Sequence, residues 1–196
     1  MVLKNMTALL PGFSPDYSLI NGLKYIQNYI SSEEETDLLV LLDKQTWILD
    51  LKRRVQHYGY RYDYKLNRVT QEAVASIPEF LLPLCHRLVK EGIFSAAPNQ
   101  IIVNEYLPGL GITSHIDAAC FGNTVCSLSL GTNCVMNFTK DNLNLPKILE
   151  SKSLLVLKEE ARYNWSHEIP ARKLDNFLGC KFPRGKRVSI TFRIVL

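Results

Sequence analysis

The sequence predicts an α+β domain, in which a helical opening leads into short strands arranged as a sandwich or barrel. Three observations carry this. Apolar residues at helical spacing mark two helices in the first half of the chain. From Gln100 onward, short β-rich runs alternate with turns. The last run alternates strictly between polar and apolar residues, the period of a strand with two unlike faces.

The elements follow in order. Ser31 and Ser32 ahead of Glu33, Glu34 and Glu35 read as a helix start, with acids at the positive end of the dipole. Leu38, Leu39, Leu41 and Leu42 give that helix its apolar side. A second helix is expected from Pro78 to about Lys90, with Pro78 in its first turn and Leu81, Leu84, Cys85 and Leu88 at helical spacing. Strands are expected over Ile101–Tyr106, Val125–Leu130, Cys134–Phe138, Leu154–Lys158 and Arg187–Val195. Jelly rolls and cupin-like barrels belong to this class.

The chain has 196 residues, enough for one compact domain with a core. A hydrophobic fraction of 46% and a charged fraction of 21% are ordinary for a soluble domain. No apolar run approaches the ~20 residues that span a bilayer, and the start lacks the plan of a signal peptide. The expected location is therefore the cytoplasm or nucleus, with no secretion and no membrane partner. Five scattered cysteines, Cys85, Cys120, Cys126, Cys134 and Cys180, form neither a disulfide frame nor a zinc ribbon. They read as reduced thiols, and Cys126 and Cys134 read as core residues. The net charge of +4 is compatible with a nucleic-acid partner without demanding one.

The last strand is the most informative element. Val188, Ile190, Phe192 and Ile194 form one apolar face, and Arg187, Ser189, Thr191 and Arg193 form the other. The polar face looks either to solvent or into a pocket. A pocket with two guanidinium groups on its wall calls for an anion, and a small dicarboxylate suits arginine's fork. His115-Ile116-Asp117 sets an imidazole and a carboxylate on one side of an extended segment. His167 is the candidate third ligand from a distant segment. Two histidines and one carboxylate leave coordination positions open, as in non-haem Fe(II) oxygenases. Zinc accepts the same ligands but does not explain the paired arginines.

The ordered motifs Asn104-Glu105-Tyr106-Leu107-Pro108-Gly109, His115-Ile116-Asp117, Ser127-Leu128-Ser129-Leu130-Gly131, Trp165-Ser166-His167 and Arg187 through Arg193 resemble the AlkB family. The resemblance spans roughly residues 50–196. Shared texture at Arg53–Tyr60, Ser153–Val156 and Ala161–Trp165 is nearest to the tRNA wobble-uridine hydroxylase branch. Glu168 departs from the family pattern, in which a small glycine usually follows the second histidine.

The resemblance implies a double-stranded β-helix core over residues 96–196. Residues 1–95 would supply outer helices and a substrate lid, and 1–196 would make one domain. It implies an iron- and 2-oxoglutarate-dependent dioxygenase that consumes O2. His115, Asp117 and His167 would hold Fe(II). Arg187, helped by Asn104 and Tyr106, would take the distal carboxylate of 2-oxoglutarate. Arg193 would sit nearer the metal, close to Asp117, and Ser127 and Ser189 would line the same pocket. The product would be a hydroxylated or demethylated alkyl group on a nucleobase.

Substrate contact is expected in the stretch Lys52–Arg68. It carries Lys52, Arg53, Arg54, Arg61, Lys65 and Arg68, with Tyr58, Tyr60, Tyr62 and Tyr64 alternating. Rings beside cations grip single-stranded nucleic acid, and equally describe a ribbon whose tyrosines pack on the core. Arg53, Arg54, Tyr58, Tyr60 and Arg61 are the candidate substrate residues. RNA, tRNA or another single strand is favoured over duplex DNA, whose bases must first be flipped out. A protein demethylase or hydroxylase of the same mechanism is an alternative. A non-catalytic binding module is another.

Overall fold

The structure is a computed structural model that describes residues 15–49, 52–63 and 68–196. Two sheets face one another across the core. The larger has seven strands in the order β1-β9-β6-β13-β4-β2-β3. These are β1 (Leu23–Ile26), β2 (Val55–Asp63), β3 (Arg68–Ala75), β4 (Gln100–Tyr106), β6 (Phe121–Gly131), β9 (Leu154–Leu157) and β13 (Arg187–Val195). The smaller runs β5-β10-β7-β8, from β5 (Ile112–His115), β7 (Cys134–Lys140), β8 (Leu143–Leu149) and β10 (Ser166–Ile169). A separate hairpin joins β11 (Leu174–Phe177) to β12 (Cys180–Pro183). All pairings among the described residues are antiparallel, which gives the expected double-stranded β-helix.

Helix α1 (Ser32–Asp43) begins where the sequence places it. The Ser31 side chain accepts from the Glu34 amide while the Glu34 carboxylate accepts from the Ser31 amide, a complete capping box. The Pro78–Lys90 segment opens with a 3-10 turn, Glu79–Leu81, and continues as α2 (Leu82–Lys90). Leu81, Leu84, Cys85 and Leu88 are all buried, as their spacing requires.

The alternation of β13 settles which face looks where. Val188, Ile190 and Phe192 join Leu38, Leu42, Leu81 and Leu88 in a core between the main sheet and the two helices. On β6, Cys126, Leu128 and Leu130 share that face, and on β4 so do Ile101 and Val103. The opposite face of the main sheet meets the smaller sheet around Phe138, Leu155, Leu157, Trp165 and Ile169. Cys134 is buried in this second core.

The N-terminal portion is more than helical support. β1 pairs with β9 at one edge of the main sheet, and β2 pairs with β4 on the other side. Short strands half covered by neighbours carry little alternation of their own, so β1, β5 and β10 leave almost no sequence signal. Gly59 permits the approach of β2 to β4. Its φ is +71°, and a Cβ there would lie 1.9 Å from the Asn99 carbonyl oxygen.

Candidate metal and co-substrate site

The polar side chains of β13 face inward, into a cavity of about 560 Å³ between the sheets. Arg187, Ser189, Thr191 and Arg193 all line it. The pleat explains the composition of the wall. Residues opposite one another in an antiparallel ladder share a face, so Arg187, Ser189 and Thr191 stand beside Tyr106, Asn104 and Ile102 of β4. On the other flank, Ser129, Ser127 and Val125 of β6 stand beside Ser189, Thr191 and Arg193.

His115, Asp117 and His167 converge at this cavity, with one ligand atom from each lying within 4.8 Å of the others. Ladder register brings the histidines together: His167 of β10 is paired with His115 of β5, and their ring centroids are 4.4 Å apart. Asp117 follows two residues beyond the end of β5, and its Oδ2 lies 3.7 Å from His167 Nε2. His115 Nδ1 lies 2.8 Å from the Thr113 carbonyl oxygen. That contact leaves Nε2 as the atom that could take a metal, the usual arrangement of a metal-bound imidazole. Of the remaining histidines, His57 lies on β2 and His86 on α2, outside this group.

Electrostatics favour an ionised carboxylate and a neutral imidazole here. Burial alone would raise the Asp117 pKa, but Arg193, His167, His115 and Arg162 outweigh it and hold the carboxyl below its ordinary value. Arg193 Nη2 donates to Asp117 Oδ1 at 2.7 Å, and its guanidinium carbon lies 4.4 Å from the Phe121 ring centre. Burial pulls His167 down to about 4, with Asp117 opposing. Deprotonated nitrogen and ionised oxygen are the ligand states that a divalent cation needs.

Arg187 is 3% exposed. Its Nη2 donates to Ser129 Oγ at 2.9 Å, and it lies over the Tyr106 ring at 5.3 Å. Its Nε and Nη1 have no hydrogen-bond partner among the described residues. A buried guanidinium with two spare donors fits a carboxylate, because an isolated buried charge is strongly unfavourable. Asn104 Oδ1 accepts from Arg53 Nε at 2.9 Å, so Asn104 buttresses the rim as well as lining the wall. The donor set therefore fits a ferrous ion beside a keto diacid. His115, Asp117 and His167 would hold the metal, and Arg187 would hold the far carboxylate.

The substrate stretch divides by face. Lys52 and Arg53 line the cavity, with Lys52 exposed. Arg54, in the irregular segment just ahead of β2, turns the other way. It donates twice to Glu105 at 2.6 Å, once to Asp43 at 2.9 Å, and stacks on Trp47. Tyr58 also faces the helices: it is buried in the helix-side core, and its hydroxyl donates to Gln56 at 3.0 Å. These two candidates are committed to internal contacts. Tyr60 is half-buried and Arg61 exposed, and neither lines the cavity. Tyr64 and Lys65 lie outside the described residues, as do the side chains of Tyr62 and Arg68.

Sequence reasoning missed three residues. Ser129 anchors Arg187, and its place two residues from Ser127 was the available signal. Ile116, between two candidate ligands, is an exposed apolar side chain at the cavity wall. Arg162 is fully buried behind Asp117, and nothing in its spacing announces this.

Fold and site together define a metal-dependent oxygenase of the double-stranded β-helix class. Residues 8–193 match the 2OG-Fe(II) oxygenase superfamily, and the chain belongs to that family. Its members use Fe(II), 2-oxoglutarate and O2. Within it the chain is of the AlkB type. It is 37% identical over 186 residues to the uncharacterized protein L905 of Acanthamoeba polyphaga mimivirus, covering 90% of this chain and 86% of that protein. It is 35% identical over 201 residues to the mouse tRNA (carboxymethyluridine(34)-5-O)-methyltransferase ALKBH8, covering 89% of this chain. The match spans only 30% of the length of that relative. A solved structure of OsALKBH1 superposes with a TM-score of 0.68 at 17% identity, covering 93% of this chain and 98% of the other.

Proposed function

We propose that this protein hydroxylates or oxidatively demethylates an alkyl group on a nucleobase, in RNA, tRNA or another single-stranded nucleic acid. The observation that carries the reading is a single cavity that joins the three candidate ligands, the spare donors of Arg187 and a cationic rim at Lys52 and Arg53. Its volume, about 560 Å³, lies inside the ~300–1,000 Å³ range of ligand pockets. Similarity to a tRNA-modifying relative supports a nucleic-acid target.

When bound, Fe(II) with 2-oxoglutarate supplies the oxidising power by coupling O2 reduction to decarboxylation of the co-substrate. The protein's part is to bind and orient. Arg187 fixes the far end of the diacid, with Asn104, Tyr106 and Ser189 around it. Arg193 keeps Asp117 ionised and aimed. Ile116, Ile112, Met136 and Ile169 give the wall an apolar surface that excludes water beside the ligands. Lys52 and Arg53 stand where a phosphate of an entering strand would be neutralised. A base in a single strand reaches such a recess without the cost of unpairing.

The test is incubation of the enzyme, charged with Fe(II) and 2-oxoglutarate, with total RNA, single-stranded and duplex DNA, and protein extract. Modified nucleosides and residues are compared by mass spectrometry against a His115→Ala control. Change in RNA or single-stranded DNA is expected. Change confined to the protein extract, or to duplex DNA, would overturn the proposed substrate.

A further inference from the structure

Behind the metal-binding end of the cavity lies a charged group that no ligand role accounts for. Arg162 sits on α3 (Glu159–Tyr163), a short helix between β9 and the strand that carries His167. It is 1% exposed, among the largest fully buried side chains. All four of its hydrogen-bond acceptors are main-chain carbonyls. Nη1 donates to Asp117 at 2.8 Å, Nη2 to Ala118 at 2.7 Å and Phe121 at 3.2 Å, and Nε to Gly122 at 3.3 Å. The Tyr163 ring lies 4.8 Å from its guanidinium carbon.

Those carbonyls belong to the connection from β5 to β6, which carries the candidate ligand Asp117, and to the first two residues of β6. Two backbone hydrogen bonds also brace this segment, Phe121 N to Ala118 O and Leu196 N to Cys120 O. Arg162 therefore makes twice as many bonds to it as these two combined. We propose that Arg162 is a positioning residue for the metal centre, fixing the Asp117–Gly122 segment, and so the Asp117 carboxylate, relative to the His167 segment.

The chemistry favours this over a packing role. A buried cation is costly, and an apolar side chain would fill the space without that cost. A planar fork of five N–H groups can hold four diverging carbonyls at once, whereas an ammonium has only three donors on one nitrogen. Arginine also links segments that the fold must bring together. Its side chain grips the residue carrying one ligand, and its backbone lies five residues before another. Asp117 is thus held at its carboxylate by Arg193 of the main sheet and at its carbonyl by Arg162. Groups that orient ligands are typically worth 10- to 100-fold in metal affinity.

The inference rests on the His115–Asp117–His167 metal site and not on the identity of the substrate, so the test uses metal alone. Co(II) affinity is measured by anaerobic calorimetry, and ligand geometry by the visible spectrum of the Co(II) complex. Arg162→Lys and Arg162→Ala are compared with Leu88→Ala, a core truncation in α2 remote from that segment. A 10- to 100-fold loss of Co(II) affinity with an altered spectrum is expected for both arginine variants. Leu88→Ala should lower Tm while keeping the affinity and spectrum of the parent. Low guanidinium should restore Arg162→Ala in part, and equal ammonium should not. If Arg162→Lys binds Co(II) like the parent, or if Leu88→Ala loses as much affinity as Arg162→Ala, the proposal fails. Absence of Co(II) binding by the parent would overturn the metal site itself.

Discussion

Arg187→Ala removes a guanidinium that is 3% exposed and has two N–H edges without partners among the described residues. In the bound state those edges would take a carboxylate, so alanine leaves one charge of a buried pair unmatched. Truncating one member of such a pair costs about 2–5 kcal/mol. At about 1.4 kcal/mol per decade this weakens 2-oxoglutarate binding roughly 30- to 4,000-fold. The cavity reaches the surface, so water can enter beside the stranded carboxylate, and a loss of about 100-fold is the working expectation. Metal binding should hold within about twofold of the parent, since the charges acting on Asp117 are Arg193, His167, His115 and Arg162 rather than Arg187. Both affinities can be read by anaerobic calorimetry with Mn(II) in place of Fe(II). A thermal scan gives an independent reading, because a ligand that binds only the folded state raises Tm. Saturating 2-oxoglutarate should raise Tm for the parent and far less for the variant. Equal loss of metal and co-substrate affinity, or unchanged co-substrate affinity, would refute the division of labour between Arg187 and the metal ligands.

Other outcomes follow from the same geometry. Arg53→Ala should weaken single-stranded RNA binding and lower the salt dependence by about one counterion, whereas Tyr58→Phe should leave binding unchanged and cost about 1 kcal/mol in urea unfolding. Gly111→Ala should reduce Co(II) affinity, because a Cβ there would lie 2.1 Å from the Ile169 carbonyl oxygen and force apart the β5–β10 pairing that aligns the two histidines. Asp175→Ala should destabilise the fold by about 3–5 kcal/mol in urea titration, because it strands the buried Arg184, whose Nε lies 2.6 Å from the carboxylate. Burial would raise the Asp175 pKa, but Arg184, the Val135 amide and Arg172 together hold it below the ordinary value. Its stabilising contribution is therefore present above the unfolded carboxyl's pKa and lost as pH falls through the lowered one, so the variant's stability should decline less steeply in acid.

The sequence by itself determined the elements whose faces differ chemically. β13 announced which of its faces is apolar, because Val188, Ile190 and Phe192 alternate with Arg187, Ser189 and Thr191; whether the polar face met solvent or a pocket was left to the fold. The capping residues of α1 and the spacing of Leu81, Leu84, Cys85 and Leu88 were equally local, and local signals are written in consecutive residues. The three candidate metal ligands could be named from residue type and motif order. Their meeting required the β5–β10 pairing, which sets His115 beside His167 across more than fifty positions of chain. Tertiary structure alone decided which cations serve the cavity. Arg53 and Arg54 are neighbours of the same type, yet the bend ahead of β2 leaves one at the cavity and the other on Glu105 and Asp43. It also decided that Tyr58 is core and that Arg162 donates to the carbonyl of the candidate ligand Asp117. A long polar side chain takes its role from whichever carbonyls or carboxylates folding brings within reach, and no spacing along the chain records them.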